Sequence, residues 1–528
     1  MNQYFSERKT VLIIALLVML ATSVPYLVGF GVQNQTWQFT GFVIGGEDGN
    51  SYIAKMLSGA AGSWLFKSPY SAEPQQGAAA FLPYLLLGKL TAPPSQHDQL
   101  VVIYHLFRFV AGMLAVFASY DFFSLFTQRK YLRYWGVILV SLGGGLGWIP
   151  VAIQQKGWLG SLPLDFISPE SFGFLGLLGF PHLSAARAML LWGMKAYLTQ
   201  DRGWQAGLFW LGMGFFQPMY VPIAWFIVLM HTLINVIVKR YKPDLIPSDG
   251  RTFRQIIEAA AQTVLVSSPL VLYTVYSFLT DPYLKAWSRQ NILPSPHWIH
   301  YLVAYGLVLP FAVAGIWKHI KDQTRLYSLT AVWLLAFPFL VSAPVTTQRR
   351  LAEGVWAILV ACMIGFFSYR NKLPVYAKIL TAFLLPTSLF LWIGGISLAS
   401  KPAEPVFVPG PEVLAYQYLS ANAPVGSLVL SDFETGNRIP AWAPVRVVLG
   451  HGPETVHRVY WQDLVDSSLN GTAPISTCPD EFGDNGIDFL FWGPAEKERW
   501  NFNPENSSCL KQIYNSGGYQ IFQYDKSD

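Results

Sequence analysis

Glu47 and Asp48 are adjacent carboxylates in the stretch Gly45-Gly46-Glu47-Asp48-Gly49-Asn50-Ser51-Tyr52. A carboxylate can take a proton from a hydroxyl or bind a divalent cation. The same residues can instead begin a helix. Asp48 or Asn50 would cap a segment through Ser51–Gly59, in which Ile53, Met56, Leu57 and Ala60 share one apolar face. Spacing alone leaves both alternatives open. A second set is cationic: Thr346-Thr347-Gln348-Arg349-Arg350-Leu351-Ala352-Glu353. Guanidinium forks match the oxygens of a phosphate. The plainer alternative is an arginine pair that snorkels to headgroups or pairs with Glu353.

Further titratable groups lie inside apolar runs. Arg108 follows His105, and Arg187 follows His182 by a little over one helical turn. An ionisable group in such a run is costly, so it marks a functional cleft or a structural ion pair. Asp165, Glu170 and Asp121 are the candidate partners. His451, Glu454 and His457 give the pattern H-x-x-E-x-x-H. That spacing spreads the two histidines by about 120° around a helix, whereas zincins place them at i and i+4. No metal site is expected there. Gly450-His451-Gly452-Pro453-Glu454-Thr455 reads as a turn leading into a helix. No cofactor is implied, and a divalent cation at the acidic pair is the one candidate.

These residues need a scaffold, and composition says which kind. Of 528 residues, 52% are hydrophobic and only 13% charged. Soluble chains carry roughly 25% charged residues. With a mean hydropathy of +0.34, an ordinary soluble enzyme, a disordered chain and a collagenous one are excluded. The net charge of +5 gives no sign of a nucleic-acid partner.

The first apolar run is Val11 to Phe30, behind Arg8 and Lys9. It is long for a signal peptide and has no clean cleavage site, so it reads as an uncleaved anchor. Further runs lie at 100–126, 134–154, 180–199, 256–279, 298–317, 326–343, 353–369 and 375–397. Gly203 to Val238 contains no Lys, Arg, Asp or Glu. As one helix it would be about 54 Å long, against a hydrocarbon core of about 30 Å. It must fold back, near Gln217-Pro218. The expected total is eleven spans.

With the N-terminus inside, the inner loops gather about twice the Lys and Arg of the short outer ones. Arg129, Lys130 and Arg133 fall inside, as do Lys239, Arg240 and Lys242. A first outside loop (31–98) then holds the acidic pair. It also holds an apolar segment, Gln76–Leu90, expected as an interfacial helix interrupted by Pro83. Residues 1–399 form the membrane domain. Residues 400–528 form an outside α/β domain. Its helix-like segments are Glu412–Asn422 and Glu454–Leu469. Its strand-like ones are Ser427–Ser431, Val445–Leu449, Ile487–Trp492 and Tyr519–Tyr524. Cys478 and Cys509 fall in it, where a disulfide would persist.

An anchor, an acidic pair, a Tyr52-bearing helix and a second interfacial helix together resemble the GT-C superfamily of polytopic glycosyltransferases. The resemblance is to its protein-mannosyltransferase-like and aminoarabinose-transferase-like branch. It covers the architecture of the whole chain, and it is motif-level at Glu47-Asp48 and Arg349-Arg350. It implies a mainly α transmembrane bundle in a cytoplasmic membrane and a polyprenyl-phosphate-linked sugar as donor. Asp48 would be the general base, supported by Glu47. Arg349 and Arg350 would contact the carrier phosphate. Arg187 joins them as a phosphate candidate, and His182, Arg108, Tyr52 and His451 are cleft candidates. The segment Glu73-Pro74-Gln75-Gln76-Gly77 departs from the branch's pattern, so contacts made there do not carry over. The acceptor would be a glycan, lipid or protein. The rivals are a transporter or flippase for a lipid-linked sugar, and a catalytically silent relative. The absence of repeat halves counts against a transporter.

Overall fold

The computed structural model describes residues 2–155, 157–199, 203–241, 252–470, 483 and 485–525. Helix α1, Asn2–Val32, contains the first apolar run. The first loop holds β1 (Trp37–Phe39), α2 (Gly46–Ala60) and α3 (Leu82–Gly88), and α4 (Gln96–Phe123) follows. Among the described residues six helices are long and apolar enough to cross a membrane. They are Ser6–Val32, Gln96–Phe123, Tyr220–Tyr241, Phe253–Thr280, Gln348–Phe367 and Val375–Ala399. A seventh arises if Ile299–Tyr305 and Leu309–His319, bent by 69°, count as one span.

By length and composition the described residues do not confirm the expected eleven, for local reasons. The run 134–154 breaks at Gly143–Gly147 into Lys130–Leu142 and Trp148–Ala152. A helix of 13 residues rises about 20 Å, short of the hydrocarbon thickness. Pro181–Thr199 is long enough, but it carries Arg187 and Lys195 and is largely buried. Thr324–Val341 contains Pro338. The charge-free stretch does fold back at Gln217-Pro218: one helix ends at Phe216 and the next starts at Tyr220.

The chain forms two compact units. The first comprises Met1–Val24, Leu106–Val275 and Ile292–Gly395. Its centre is the Val355–Phe367 helix, apolar on every side and buried almost throughout, as expected of a helix with no solvent or lipid face. Gly315 lets the Leu309–His319 helix approach it closely. A Cβ there would collide with the carbonyl of Cys362, which is a free, buried cysteine.

The second unit comprises Pro25–His105, Tyr276–Asn291 and Ile396–Asp528. The first loop therefore clusters with the C-terminal segment, which the sequence boundaries keep apart. Strand β1 pairs antiparallel with β2, Phe407–Pro409. The main sheet contains β3 (Leu428–Leu430), β4 (Arg446–Val447), β5 (Phe489–Trp492), β6 (Leu510–Ser516) and β7 (Tyr519–Tyr524). Its order is β4-β3-β5-β7-β6. β3 is parallel to β4 and β5, and β7 is antiparallel to β5 and β6. Alternate residues face opposite ways, and both faces are covered. Val429, Phe491 and Ile521 meet the Gly410–Asn422 and Phe433–Trp442 helices. Leu430, Leu490 and Trp492 meet the Arg458–Asn470 helix. Burial on both faces explains why β5 is an unbroken apolar run, Phe-Leu-Phe-Trp.

Two expectations need correction. Pro83 starts α3 rather than interrupting a longer helix, because proline suits a first turn, where no N–H bond is required. Residues before it are not helical, and Ala78 bridges to Phe66. The helix expected from Glu454 begins only at Arg458, after His457 adopts a positive φ of 54°. Cys509 is disulfide-bonded. Cys478 lies outside the described residues, as do Lys156, Arg202, Lys242 and Arg251.

Candidate active site

Gly45, in the left-handed conformation (φ 59°), is the N-cap of α2, and no side chain caps it. The helix therefore starts at Gly46 and carries Glu47 and Asp48 in its first turn, where the helix dipole favours carboxylates. This corrects the capping alternative for Asp48 and Asn50. Asn50 instead donates to Asn437 Oδ1 at 2.8 Å.

Helical spacing sets the rest. Glu47, Ser51 and Lys55 fall at i, i+4 and i+8, one above another on a single face. In the second unit that face meets the turn 450–455. The Gly452 N–H donates to Glu47 Oε1 at 2.6 Å, and Asn437 Nδ2 donates to the Glu47 carbonyl. Glu454 Oε1 accepts from Ser51 Oγ at 2.7 Å and Lys55 Nζ at 2.6 Å. Its Oε2 accepts from Ser68 Oγ at 2.8 Å. Lys55 also donates to Ser51 Oγ. The Lys55 and Glu454 side chains are only 1% and 5% exposed, and the Lys55 ammonium lies 4.5 Å from the centre of the Phe81 ring. Burial opposes the charge on Glu454, but Lys55, His451 and the donated hydrogen bonds outweigh it, so its pKa lies below the ordinary 4.5.

His451 sits between two carboxylates. Its Nε2 is 3.5 Å from Asp48 Oδ1, and its Nδ1 is 4.0 Å from Glu454 Oε1. The imidazole is 6% exposed and the Asp48 side chain 52%. Burial disfavours the imidazolium, yet Glu454 and Asp48 together raise its pKa above 6.5. Thr455 Oγ1 accepts from the N–H groups of Gly450 and His451, which fixes the turn. His457 points elsewhere, to Glu73 Oε1 at 3.0 Å. Among the described residues no group of three His, Cys, Asp or Glu side chains is arranged to hold a metal. Tyr52 stacks on Tyr84, with ring centres 4.6 Å apart.

In the first unit, Arg187 is committed to Glu353. Its Nε donates to Oε1 at 2.6 Å and its Nη2 to Oε2 at 2.7 Å, with a further bond to the Pro169 carbonyl. Glu353 thus pairs with Arg187 and not with the adjacent arginines, and Arg187 does not take Asp165, Glu170 or Asp121. Arg350 lies 3.7 Å from Glu170. Arg349 Nε is buried without a hydrogen-bond partner among the described residues. Arg108 is buried and donates to Thr22, Ser23 and the Leu177 carbonyl, which makes it an internal strut rather than a cleft residue. In the second unit, His105 is held by the Gly41 carbonyl and the Tyr26 ring. His182 occupies the first turn of the Pro181–Thr199 helix.

The structure thus brings Glu47, Asp48 and His451 together in one unit, and Arg187, Arg349 and Arg350 belong to the other. Sequence reasoning missed Lys55 and Ser51. No local signal marked them: Lys55 and Ser51 lie on the face of α2 opposite Ile53, Met56 and Leu57, where a lysine reads as solvated.

No protein-family model and no curated protein matches the sequence. Solved structures similar to it include the arabinofuranosyltransferase AftD from Mycobacteria, at 12% identity and a TM-score of 0.49, covering 96% of this chain and 40% of that one. ArnT from Cupriavidus metallidurans, bound to undecaprenyl phosphate, is similar at 11% identity and a TM-score of 0.49, covering 97% and 98%. The archaeal oligosaccharyltransferase AglB from Archaeoglobus fulgidus, in complex with an inhibitory peptide and a dolichol-phosphate, is similar at 11% identity and 0.47, covering 93% and 69%. The chain thus spans well under half the length of the arabinofuranosyltransferase.

Proposed function

We propose that the chain is a membrane-embedded glycosyltransferase of GT-C type. It moves a sugar from a polyprenyl-phosphate carrier to an acceptor hydroxyl on the outer side of the cytoplasmic membrane. The acceptor belongs to a glycan, a lipid or a protein. Asp48 removes the hydroxyl proton as that oxygen attacks the anomeric carbon. The bond from that carbon to the phosphate oxygen breaks, the configuration inverts, and polyprenyl phosphate leaves. Such a displacement needs one base and one stabilised leaving phosphate. Arg349 and Arg350 serve the phosphate. The buried, unpartnered Nε of Arg349 supports this assignment, because a buried donor left unsatisfied is costly. Arg187 instead holds Glu353 in place.

The observation that carries the proposal is Asp48 itself. It is a half-exposed carboxylate in the first turn of a helix whose N-cap is Gly45, with a buried imidazole 3.5 Å away. Asp48→Asn keeps the shape and removes the base. It is expected to abolish transfer from a polyprenyl-phosphate sugar while carrier binding persists. Turnover at the wild-type rate would reject Asp48 as the base.

A further inference from the structure

The turn 450–455 closes against the acidic first turn of α2, and it does so through two neighbouring residues with different tasks. Gly452 grips Glu47 through its backbone N–H at 2.6 Å. His451 faces Asp48 through its side chain at 3.5 Å. Glu47 therefore fixes where the turn sits, and the turn fixes where the imidazole sits.

We propose that His451 is a positioning residue for Asp48: it orients the carboxylate from its buried side and, as an imidazolium, keeps it ionised. The proposal rests on the reading of Asp48 as the base.

Three observations support it. First, both ring nitrogens of His451 are buried and lack a close hydrogen bond, while each faces a carboxylate within 4.0 Å. Such a ring is neither an apolar filler nor a satisfied core histidine. Long contacts of this kind in a substrate-free site can shorten once substrate is bound. Second, two carboxylates face the ring, Asp48 from α2 and Glu454 from the same turn. The neutral Tyr70 ring lies 5.4 Å away, and the Lys55 ammonium, paired with Glu454, opposes the imidazolium without cancelling the carboxylates. This setting raises the pKa of His451 despite its burial. Third, the turn that carries the imidazole is held on both sides. Thr455 holds the backbone at Gly450 and His451, and the Ser51–Lys55–Ser68 cluster holds Glu454 behind it.

The arrangement assigns the C-terminal domain a part in the reaction. It contributes no group to the proton transfer, but it supplies the charge that sets the orientation of the base. A misplacement of about 1 Å in such a group can cost roughly 10²-fold in rate. Removing a neighbouring cation raises the pKa of a carboxylate.

The test uses the full-length protein in detergent or nanodiscs, with a polyprenyl-phosphate sugar as donor. His451→Gln keeps an amide donor and removes the charge, and His451→Ala removes both. kcat is expected to fall by at least tenfold in His451→Ala and by less in His451→Gln, with the KM for the donor unchanged in both. The acid limb of the kcat profile is expected to move to higher pH in both variants. Thr455→Val, which loosens the turn but keeps the imidazole and its charge beside Asp48, is expected to lower kcat with a smaller shift of that limb than in His451→Ala. A purely structural His451 would lower the unfolding temperature and leave the pH profile of the folded enzyme as in wild type, and that result overturns the proposal. Asp48→Asn run in parallel separates the two failures. An active Asp48→Asn rejects the base. An inactive Asp48→Asn beside wild-type-like His451 variants rejects only the positioning role.

Discussion

Lys55→Met cuts the ion pair that joins α2 to the 450–455 turn. The Lys55 and Glu454 side chains are almost fully buried and their charges are 2.6 Å apart. At an effective dielectric of 20 the attraction is about 6 kcal/mol. Desolvation of the two ions offsets much of it, so the pair as a whole contributes little compared with an apolar pair of the same volume. Losing one partner is another matter. Glu454 would keep the hydrogen bonds from Ser51 and Ser68 but lose its cation, and breaking a buried pair costs about 3–5 kcal/mol. The single variant is therefore expected to lower the stability of the second unit by that amount. The double variant Lys55→Met, Glu454→Leu, with no orphaned charge, is expected to be more stable than Lys55→Met alone. The assay is thermal or denaturant unfolding of purified protein, followed by protease susceptibility of the C-terminal segment. A loss below about 1 kcal/mol in Lys55→Met would refute the reasoning, since that is what an exposed pair would give.

Unfolding against pH is expected to show two declines. The folded pKa of His451 lies above 6.5, so its contribution is complete below pH 6.5 and is lost as pH rises through the folded value. The folded pKa of Glu454 lies below 4.5, so its contribution is present above pH 4.5 and is lost as pH falls through the folded value. His451→Gln should remove the upper decline, and its persistence there would assign it to another group. Gly88→Ala is expected to destabilise the α2–α3 crossing by more than about 1–3 kcal/mol. Its Cβ would collide with the Met56 carbonyl, and near-normal unfolding would show that the helices can separate at little cost. Arg349→Ala is expected to raise the KM for the polyprenyl-phosphate donor about tenfold or more, since a charge-assisted hydrogen bond is worth about 1.5–3 kcal/mol. An unchanged donor KM would remove Arg349 from the phosphate site.

The sequence made part of this legible. The helical membrane architecture, the fold-back at Gln217-Pro218, the α/β C-terminal segment and the limits of β7 all follow from charge-free runs, proline placement and apolar alternation. Span number did not follow. Hydropathy counts the run 134–154 as one crossing, and only the glycines at 143–147 reveal the break. β6 was invisible because Leu510–Ser516 is mostly exposed and polar, with no apolar alternation to mark it. At the candidate site the acidic pair stood out, but its partners did not. Glu454 and His451 were seen together and weighed as metal ligands, because no local pattern tells a reader that α2 lies opposite them. Pairings across about 400 positions of chain, such as Ser51 with Glu454, depend on the tertiary fold, and one sequence alone does not encode them visibly. Arg187 shows the same limit. Its partner Glu353 lies 166 positions away in the chain, next to Arg349 and Arg350, so sequence offers those arginines as the nearer alternative.

The central claim is that this chain breaks the bond between a sugar and a lipid phosphate. Purified protein in proteoliposomes, given a polyprenyl-phosphate sugar labelled in both the sugar and the lipid, tests it directly. The proposal predicts one free polyprenyl phosphate for each sugar appearing on an acceptor, with inverted anomeric configuration and no release in Asp48→Asn. Movement of the intact lipid-linked sugar between leaflets, with no free polyprenyl phosphate formed, would contradict it.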